Sequence, residues 1–322
     1  MKKLIISTIF YIFTLLVAGY AGKQPKEHTS QQQLQEQEKR QEHVQEQEEH
    51  KQEQDVIEEV KQEQPKEQQE QQVQRQRRGQ KYGVFLGING DEFSKLNQYD
   101  IVVIEPSEFS AKQVEKLHAS GKTVYGYLNI GSIEKYRPYY GKFKKVTLDV
   151  YEDWPDERWI NVASSEWQNF IINELGKQYA DMGFDGLFLD NIDVYYQYPR
   201  EDIFQGLRTI LQGLRKYNLE LIINGGDTFV SKCMDKGIAQ SLFDGVNQET
   251  VFTSIDFDDE SYGVQEKEET DYFKEYLSRI KNYGLSVYLL EYGADQNLSN
   301  KINAYCLENG FIWYNAKDLE LR

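Results

Sequence analysis

The sequence predicts an α/β fold, a (β/α)8 TIM barrel, on three observations. Eight short apolar runs alternate with amphipathic segments between residues 82 and 322. Those 241 residues match the size of one such barrel. Several amphipathic segments stop at a glycine just before the next apolar run, at Gly121, Gly183, Gly284 and Gly310. Glycine is the residue that commonly closes a helix in the left-handed conformation.

Two zones precede the barrel. Residues 1–21 begin with Lys2 and Lys3, run through an apolar stretch from Leu4 to Val17, and close on Ala18-Gly19-Tyr20-Ala21. That is the layout of a secretory signal peptide, with cleavage expected after Ala21. The alternative is an uncleaved anchor, since the apolar stretch is only slightly short for a bilayer. The chain is expected to touch a membrane only in that case. Either way the rest is expected outside the cytoplasm, secreted or at the cell surface. No cysteine sits near the junction, which argues against a lipid anchor. Residues 22–81 are a Gln/Glu-rich spacer with Lys and Arg interspersed. Their few apolar residues, such as Leu34, Val44 and Val73, are too sparse for a coiled-coil seam. Such a segment cannot offset its ordering entropy by burial, so it reads as disordered or transiently helical.

The expected strands, in order, are Tyr82 to Leu86, Ile101 to Ile104, Thr123 to Leu128, Gly186 to Leu189, Leu219 to Ile223, Gly245 to Val246 with their neighbours, Ser286 to Leu290, and Phe311 to Tyr314. Leu187, Phe188 and Leu189 form a run with no polar face, as in a parallel sheet covered on both sides. Helices are expected over Ser110 to Ser120, Glu166 to Met182, Ile203 to Tyr217, Phe229 to Lys236, Glu268 to Tyr283 and Asn297 to Glu308. An open doubly wound sheet is the competing architecture. It usually carries a Gly-rich phosphate loop after its first strand, and Gly87-Ile88-Asn89-Gly90 is too weak for one.

Charge narrows the ligand. Of the net −16, the first zone carries +2 and the spacer −3, which leaves −15 on residues 82–322. That acidity argues against nucleic acid, which needs a basic face. It suits a cationic ligand, or simply solubility. Of two cysteines, Cys233 and Cys306, both lie in expected helices. One disulfide or two separate buried thiols fit equally.

In a barrel of this kind the C-terminal end of each strand opens onto the active-site face. Here those ends carry acids and amides: Glu105 after the second strand, Asn129, Ser132 and Glu134 after the third, Asp190 after the fourth. Asn224 follows the fifth, Asn247-Gln248-Glu249 the sixth, Glu291 and Tyr292 the seventh, and Tyr314 with Asn315 the eighth. A lone carboxylate there could merely cap a helix or pair with a cation. A whole ring of them is harder to explain that way, because each is costly to desolvate.

Histidine is nearly absent from the barrel. His28, His43 and His50 lie in the spacer, and His118 falls late in a helix, away from the strand tops. A Ser-His-Asp or Cys-His nucleophile and a His-based zinc site are therefore excluded. No EF-hand-like run is present, and neither a metal nor a cofactor is expected. Acid–base work falls to carboxylates, the usual arrangement for glycoside hydrolysis. Aromatic residues favour a sugar: Tyr136, Tyr139, Tyr140, Trp154 and Trp159 after the third strand, and Tyr195, Tyr196 and Tyr198 after Asp193. Flat rings present apolar faces to sugar C–H groups, though some are expected to pack over the barrel rim.

Four motifs then resemble glycoside hydrolase family 114, the endo-α-1,4-polygalactosaminidase group of exported TIM barrels. They are Tyr99-Asp100-Ile101-Val102-Val103-Ile104-Glu105, Tyr127-Leu128-Asn129-Ile130-Gly131-Ser132-Ile133-Glu134, Gly183-Phe184-Asp185-Gly186-Leu187-Phe188-Leu189-Asp190-Asn191-Ile192-Asp193, and Asp244-Gly245-Val246-Asn247-Gln248-Glu249. The resemblance covers Tyr82 to Arg322. The chain departs from the family pattern at three positions. In the third-strand motif Asn129 and Ser132 stand where the family has Ser and a first Glu, and Asn191 replaces a Thr after Asp190. The resemblance implies endo-hydrolysis of a galactosamine-containing, partly deacetylated and hence cationic polysaccharide. It implies Asp190 as nucleophile or base and Glu249 as general acid. Glu105, Asn129, Glu134, Asp193, Tyr195, Asn224, Glu291 and Tyr314 are expected to line the cleft and bind substrate. Whether the anomeric configuration is retained or inverted stays open at this stage, and a monomer is expected. The alternative is a non-catalytic glycan-binding barrel displayed at the cell surface.

Overall fold

The computed structural model describes residues 79–152, 154–259 and 261–322. The signal peptide expected at 1–21, and the spacer expected at 22–81 apart from its last three residues, lie outside the described residues. Eight strands run parallel in chain order: β1 (Tyr82–Phe85), β2 (Ile101–Ile104), β3 (Thr123–Asn129), β4 (Gly186–Asp190), β5 (Glu220–Asn224), β6 (Gly245–Glu249), β7 (Ser286–Tyr292) and β8 (Ile312–Ala316). β8 returns beside β1, where the Phe85 and Tyr314 rings meet at 5.4 Å between centroids. The architecture is the expected (β/α)8 barrel. The sixth strand is longer than its apolar core suggested, because Asn247, Gln248 and Glu249 continue the ladder to β7.

Helices Ala111–Ala119, Glu201–Arg215, Asp227–Asp235, Lys267–Asn282 and Gln296–Asn309 sheathe the strands. So does a helical stretch from Ser165 to Met182 that contains a π segment. It ends at Gly183 with φ 89°, a conformation that costs a residue with a Cβ.

Alternation along each strand splits the core in two. Val124, Leu128, Leu187, Leu189, Leu221, Ile223, Val246 and Leu289 face the helices. Tyr82, Val103, Tyr125, Tyr127, Phe188, Ile222, Tyr288 and Leu290 fill the barrel interior. The same parity carries forward to the strand ends. Asp190 follows Phe188 by two and Glu249 follows Asn247 by two, so both belong to the inward set. Glu291 follows Leu289 by two and belongs to the outward set.

Two inserts build up the mouth. Ser132–Glu134, Thr147–Tyr151 and Trp154–Ile160 form a three-stranded antiparallel sheet after β3. A hairpin of Thr253–Asp256 and Ser261–Val264 follows β6. They meet where the Trp154 and Phe257 rings pack edge-on, 6.1 Å apart at 77°. Cys233 and Cys306 are two separate buried thiols. His118 pairs with Asp185 at 2.9 Å, by way of the surface.

Candidate active site

A cavity of about 490 Å³ opens at the C-terminal ends of the strands. Asp190 and Glu249 both line it. One amide joins them: Asn224 Nδ2 donates to Asp190 Oδ1 at 2.8 Å and to Glu249 Oε1 at 2.7 Å. Two oxygens that share one nitrogen at those distances lie no more than 5.5 Å apart. The orientation of that amide is set from below. Asn224 Oδ1 accepts from Asn247 Nδ2 at 2.7 Å, and Asn247 Oδ1 accepts from the Tyr82 hydroxyl at 3.1 Å. The donor end of Asn224 therefore faces the acids.

The two acids sit in unequal surroundings. Asp190 also accepts from the Tyr127 hydroxyl at 2.7 Å and from the Asn191 backbone. Glu249 accepts from the Tyr292 hydroxyl at 2.6 Å. Burial raises both carboxyls above their ordinary range. For Asp190 three donors oppose that rise. For Glu249 the Asp190 charge adds to it, against two donors. Like charges this close favour one proton on the pair, with three donors around Asp190 against two around Glu249.

The backbone at Asp190 is held by a close approach. Asn191 has φ 61°, and a Cβ on Gly131 would stand 1.6 Å from the Asn191 carbonyl oxygen. The Asn191 side chain is thereby turned to a third carboxylate, Glu157. Glu157 Oε1 accepts from Asn191 Nδ2 and from Asn129 Nδ2, each at 2.8 Å, and from the Ser132 hydroxyl. Burial, with Glu134 and Asp190 nearby, pushes the Glu157 carboxyl up to about 7. Asn129 thus acts through Glu157 and does not line the cavity.

Glu105 and Glu134 belong to a different unit. Arg137 lies between them and donates to both: Nη1 and Nη2 to Glu105 at 3.1 and 2.9 Å, Nε and Nη2 to Glu134 at 3.2 and 3.0 Å. Burial alone would lower the guanidinium, yet the two carboxylates hold it well above its ordinary value. This triad lines a second cavity of about 330 Å³ with Tyr136, and Glu134 and Tyr136 also border the first.

The remaining expected residues are dispersed. Asp193 borders the cavity and accepts from the Gly226 backbone at 3.2 Å. Burial pushes it up to about 7. Glu291 is fully buried and outside the cleft. It accepts from the Phe252 and Thr253 backbones and from the Thr253 hydroxyl at 2.6 Å, and so ties β7 to the insert after β6. Tyr195 packs on Phe204 and Phe229 in the helical layer and accepts from Lys232 Nζ at 2.7 Å. Tyr314 sits at the barrel seam against Phe85 and Tyr99. Tyr195, Glu291 and Tyr314 therefore stand away from the cavity. Of the aromatic residues after the third strand, Tyr136, Tyr151 and Trp154 reach it, while Tyr139 packs on Phe170.

Sequence reasoning passed over Tyr127, Glu157, Asn247 as an orienting group, and Tyr292. Strand parity alone would have found Tyr127 and Tyr292, since both fall on the inward set. For Glu157 the signal was subtler. The three departures from the family motif, Asn129, Ser132 and Asn191, all converge on it.

Comparison with known proteins shows a family and a shared fold. Residues 62–321 match the model of glycoside-hydrolase family GH114. An uncharacterized protein of Thermotoga maritima is 26% identical over 242 residues, covering 67% of this chain and 72% of that one. A protein of Deinococcus radiodurans is 30% identical over 110 residues, about a third of each chain at 31% and 35%. The glycoside hydrolase domain of PelA from Pseudomonas aeruginosa shares the fold at a TM-score of 0.63 and 16% identity, over 75% of this chain and 96% of that one. Ega3 from Aspergillus fumigatus, solved with galactosamine, does so at 0.60 and 16%, over 76% and 93%.

Proposed function

The chain belongs to glycoside hydrolase family GH114 and is a glycoside hydrolase, and on that premise we propose that it is an exported, endo-acting enzyme on a galactosamine-containing, partly deacetylated polysaccharide. Asp190 is the nucleophile and Glu249 the general acid and base. The observation that carries this reading is the shared amide of Asn224, which keeps the two carboxylate oxygens within 5.5 Å. A separation near 5 Å suits a retaining double displacement, whereas an inverting enzyme needs room for a water between the acids.

Glu249 protonates the glycosidic oxygen as Asp190 attacks the anomeric carbon. The leaving sugar departs as an alcohol, and a glycosyl ester forms on Asp190. Glu249, now ionised, takes a proton from the water that hydrolyses the ester. Tyr127 and Asn224 donate to Asp190 and favour its charged form before attack. Burial raises both acids, so both limbs of the pH–rate profile are expected above the ordinary carboxylate range. The −15 charge of residues 82–322 supports a cationic polymer as substrate, and the layout of residues 1–21 supports export.

The test is incubation of the purified protein with deacetylated galactosamine polymer, with products followed by mass spectrometry and the first-formed anomer by NMR. Oligosaccharides with retained configuration are expected. Full activity in both Asp190→Asn and Glu249→Gln would sink the residue assignment, and an inverted first product would sink the double displacement.

A further inference from the structure

Resting on that glycosidase reading, we propose that Glu157 binds the ammonium group of the hexosamine ring that Asp190 attacks, and so selects deacetylated over N-acetylated units. Its carboxylate is held by one side only. Oε1 takes all three donors, from Asn129, Asn191 and Ser132. Among the described residues no hydrogen bond reaches Oε2, and Glu157 lines the same cavity as Asp190 and Glu249.

Among the described residues no cation neutralises it. Arg137 is consumed by Glu105 and Glu134. Lys135 pairs with Asp156. Arg158 donates to the Glu157 backbone carbonyl, not to the carboxylate. A locked, partly buried carboxylate with an open oxygen and no counter-ion is a receptor for a positive group. Burial, with Glu134 and Asp190 nearby, raises this carboxyl, and a bound ammonium would oppose that rise.

Position supplies the rest. Asn191, which grips Glu157, follows Asp190 directly. In a 2-amino-2-deoxyhexose the nitrogen is borne on the carbon next to the anomeric one. A residue that reads that nitrogen must stand beside the nucleophile, as Glu157 does. An N-acetyl group offers no charge there and presents an amide in place of an ammonium.

The experiment separates this inference from the glycosidase reading by measuring binding without turnover. Glu249→Gln protein is titrated calorimetrically with a galactosamine oligomer and with its N-acetylated counterpart. Adding Glu157→Gln should weaken free-amine binding by about ten- to a hundredfold, the scale of a hydrogen bond to a charged group. Acetylated binding should change far less, so the preference collapses. Glu157→Ala, with folding checked by its unfolding transition, should give the same collapse without the new amide. An unchanged ratio of the two affinities in either folded variant overturns the proposal. Hydrolysis of the same oligomers by the unmodified protein is scored separately: its failure would sink the enzyme reading, while the affinity ratio still judges Glu157.

Discussion

Two pairs of carboxylates lie at one end of this barrel, and they are held by opposite means. Glu105 and Glu134 close on the guanidinium of Arg137, with all three side chains buried. Asp190 and Glu249 close on the neutral amide of Asn224. A buried cation compensates charge and locks both acids in place. A neutral amide orients the acids but compensates nothing, so their proton affinity rises and a proton can pass through the pair. The first pair is built to hold a wall of the cleft. In the proposed mechanism the second reacts.

The largest way to break this contrast is at the reacting pair. Asp190→Asn is expected to lower kcat on the order of 10⁴-fold, since it deletes the proposed nucleophile. Glu249→Gln is expected to lower it by about 10²–10⁴-fold. Both variants should unfold at a higher temperature than the parent in calorimetry, because each removes one of two buried carboxyls that cannot both be charged without cost. A fall in both activity and Tm would mean that the pair is structural.

The compensated pair should behave in reverse. Arg137→Met leaves Glu105 and Glu134 buried without their cation, and a loss of about 3–5 kcal/mol is expected in urea unfolding. A loss below 1 kcal/mol would show that water already serves those acids.

Stability should also depend on pH in an unusual direction. Burial raises Asp193 from 3.8 and Glu157 from 4.5 to about 7 each. Raised acids bind their protons more tightly in the folded chain, so their contribution is complete below about pH 4 and fades as pH rises through about 7. Exposed acids such as Glu92 and Asp271, lowered by hydrogen bonds to Lys95 and Lys267, oppose this weakly. Asp193→Asn keeps an acceptor for Gly226 and should remove about 4 kcal/mol of the pH-dependent change between those limits. An unchanged slope in pH-dependent unfolding would remove Asp193 as its source.

The smallest effect calibrates the others. Lys177 and Asp181 form an exposed pair one helical turn apart. Lys177→Ala should leave the unfolding midpoint nearly unchanged, and a clear loss would blur the distinction drawn between buried and surface pairs.

Much of the fold was legible from local signals. Apolar runs of strand length, glycine stops and the lack of a phosphate loop led to eight parallel strands in the right order. The strand-end positions of Asp190, Asn224 and Glu249 followed, and the structure groups those three around one cavity. Other positions at strand ends scattered, for a simple reason. A strand end has two faces, and one residue of shift moves a side chain from the mouth to the sheath. Glu291 shows the cost of ignoring that parity, while Tyr314 falls on the inward set with Ile312 and Ala316 yet packs at the seam against Phe85 and Tyr99. Tyr195 sits beyond a strand, on a short helix whose inner face joins the helical core. Glu157 was hidden by a different limit: it comes from an insert strand that sequence marked only as a loop rich in aromatics.

By itself, then, the sequence determined the barrel, the acidic mouth and a chemistry without histidine. Those depend on periodicity, composition and the residue types present, all readable along the chain. Tertiary structure alone decided which acids share one amide, which are neutralised and which keep an open oxygen. Proton affinity depends on burial and on partners within a few ångströms, and those partners are far apart in sequence. Asn224 bridges Asp190 and Glu249 from a third strand, and Asn129 and Ser132 around the end of one strand and Asn191 after another close on Glu157.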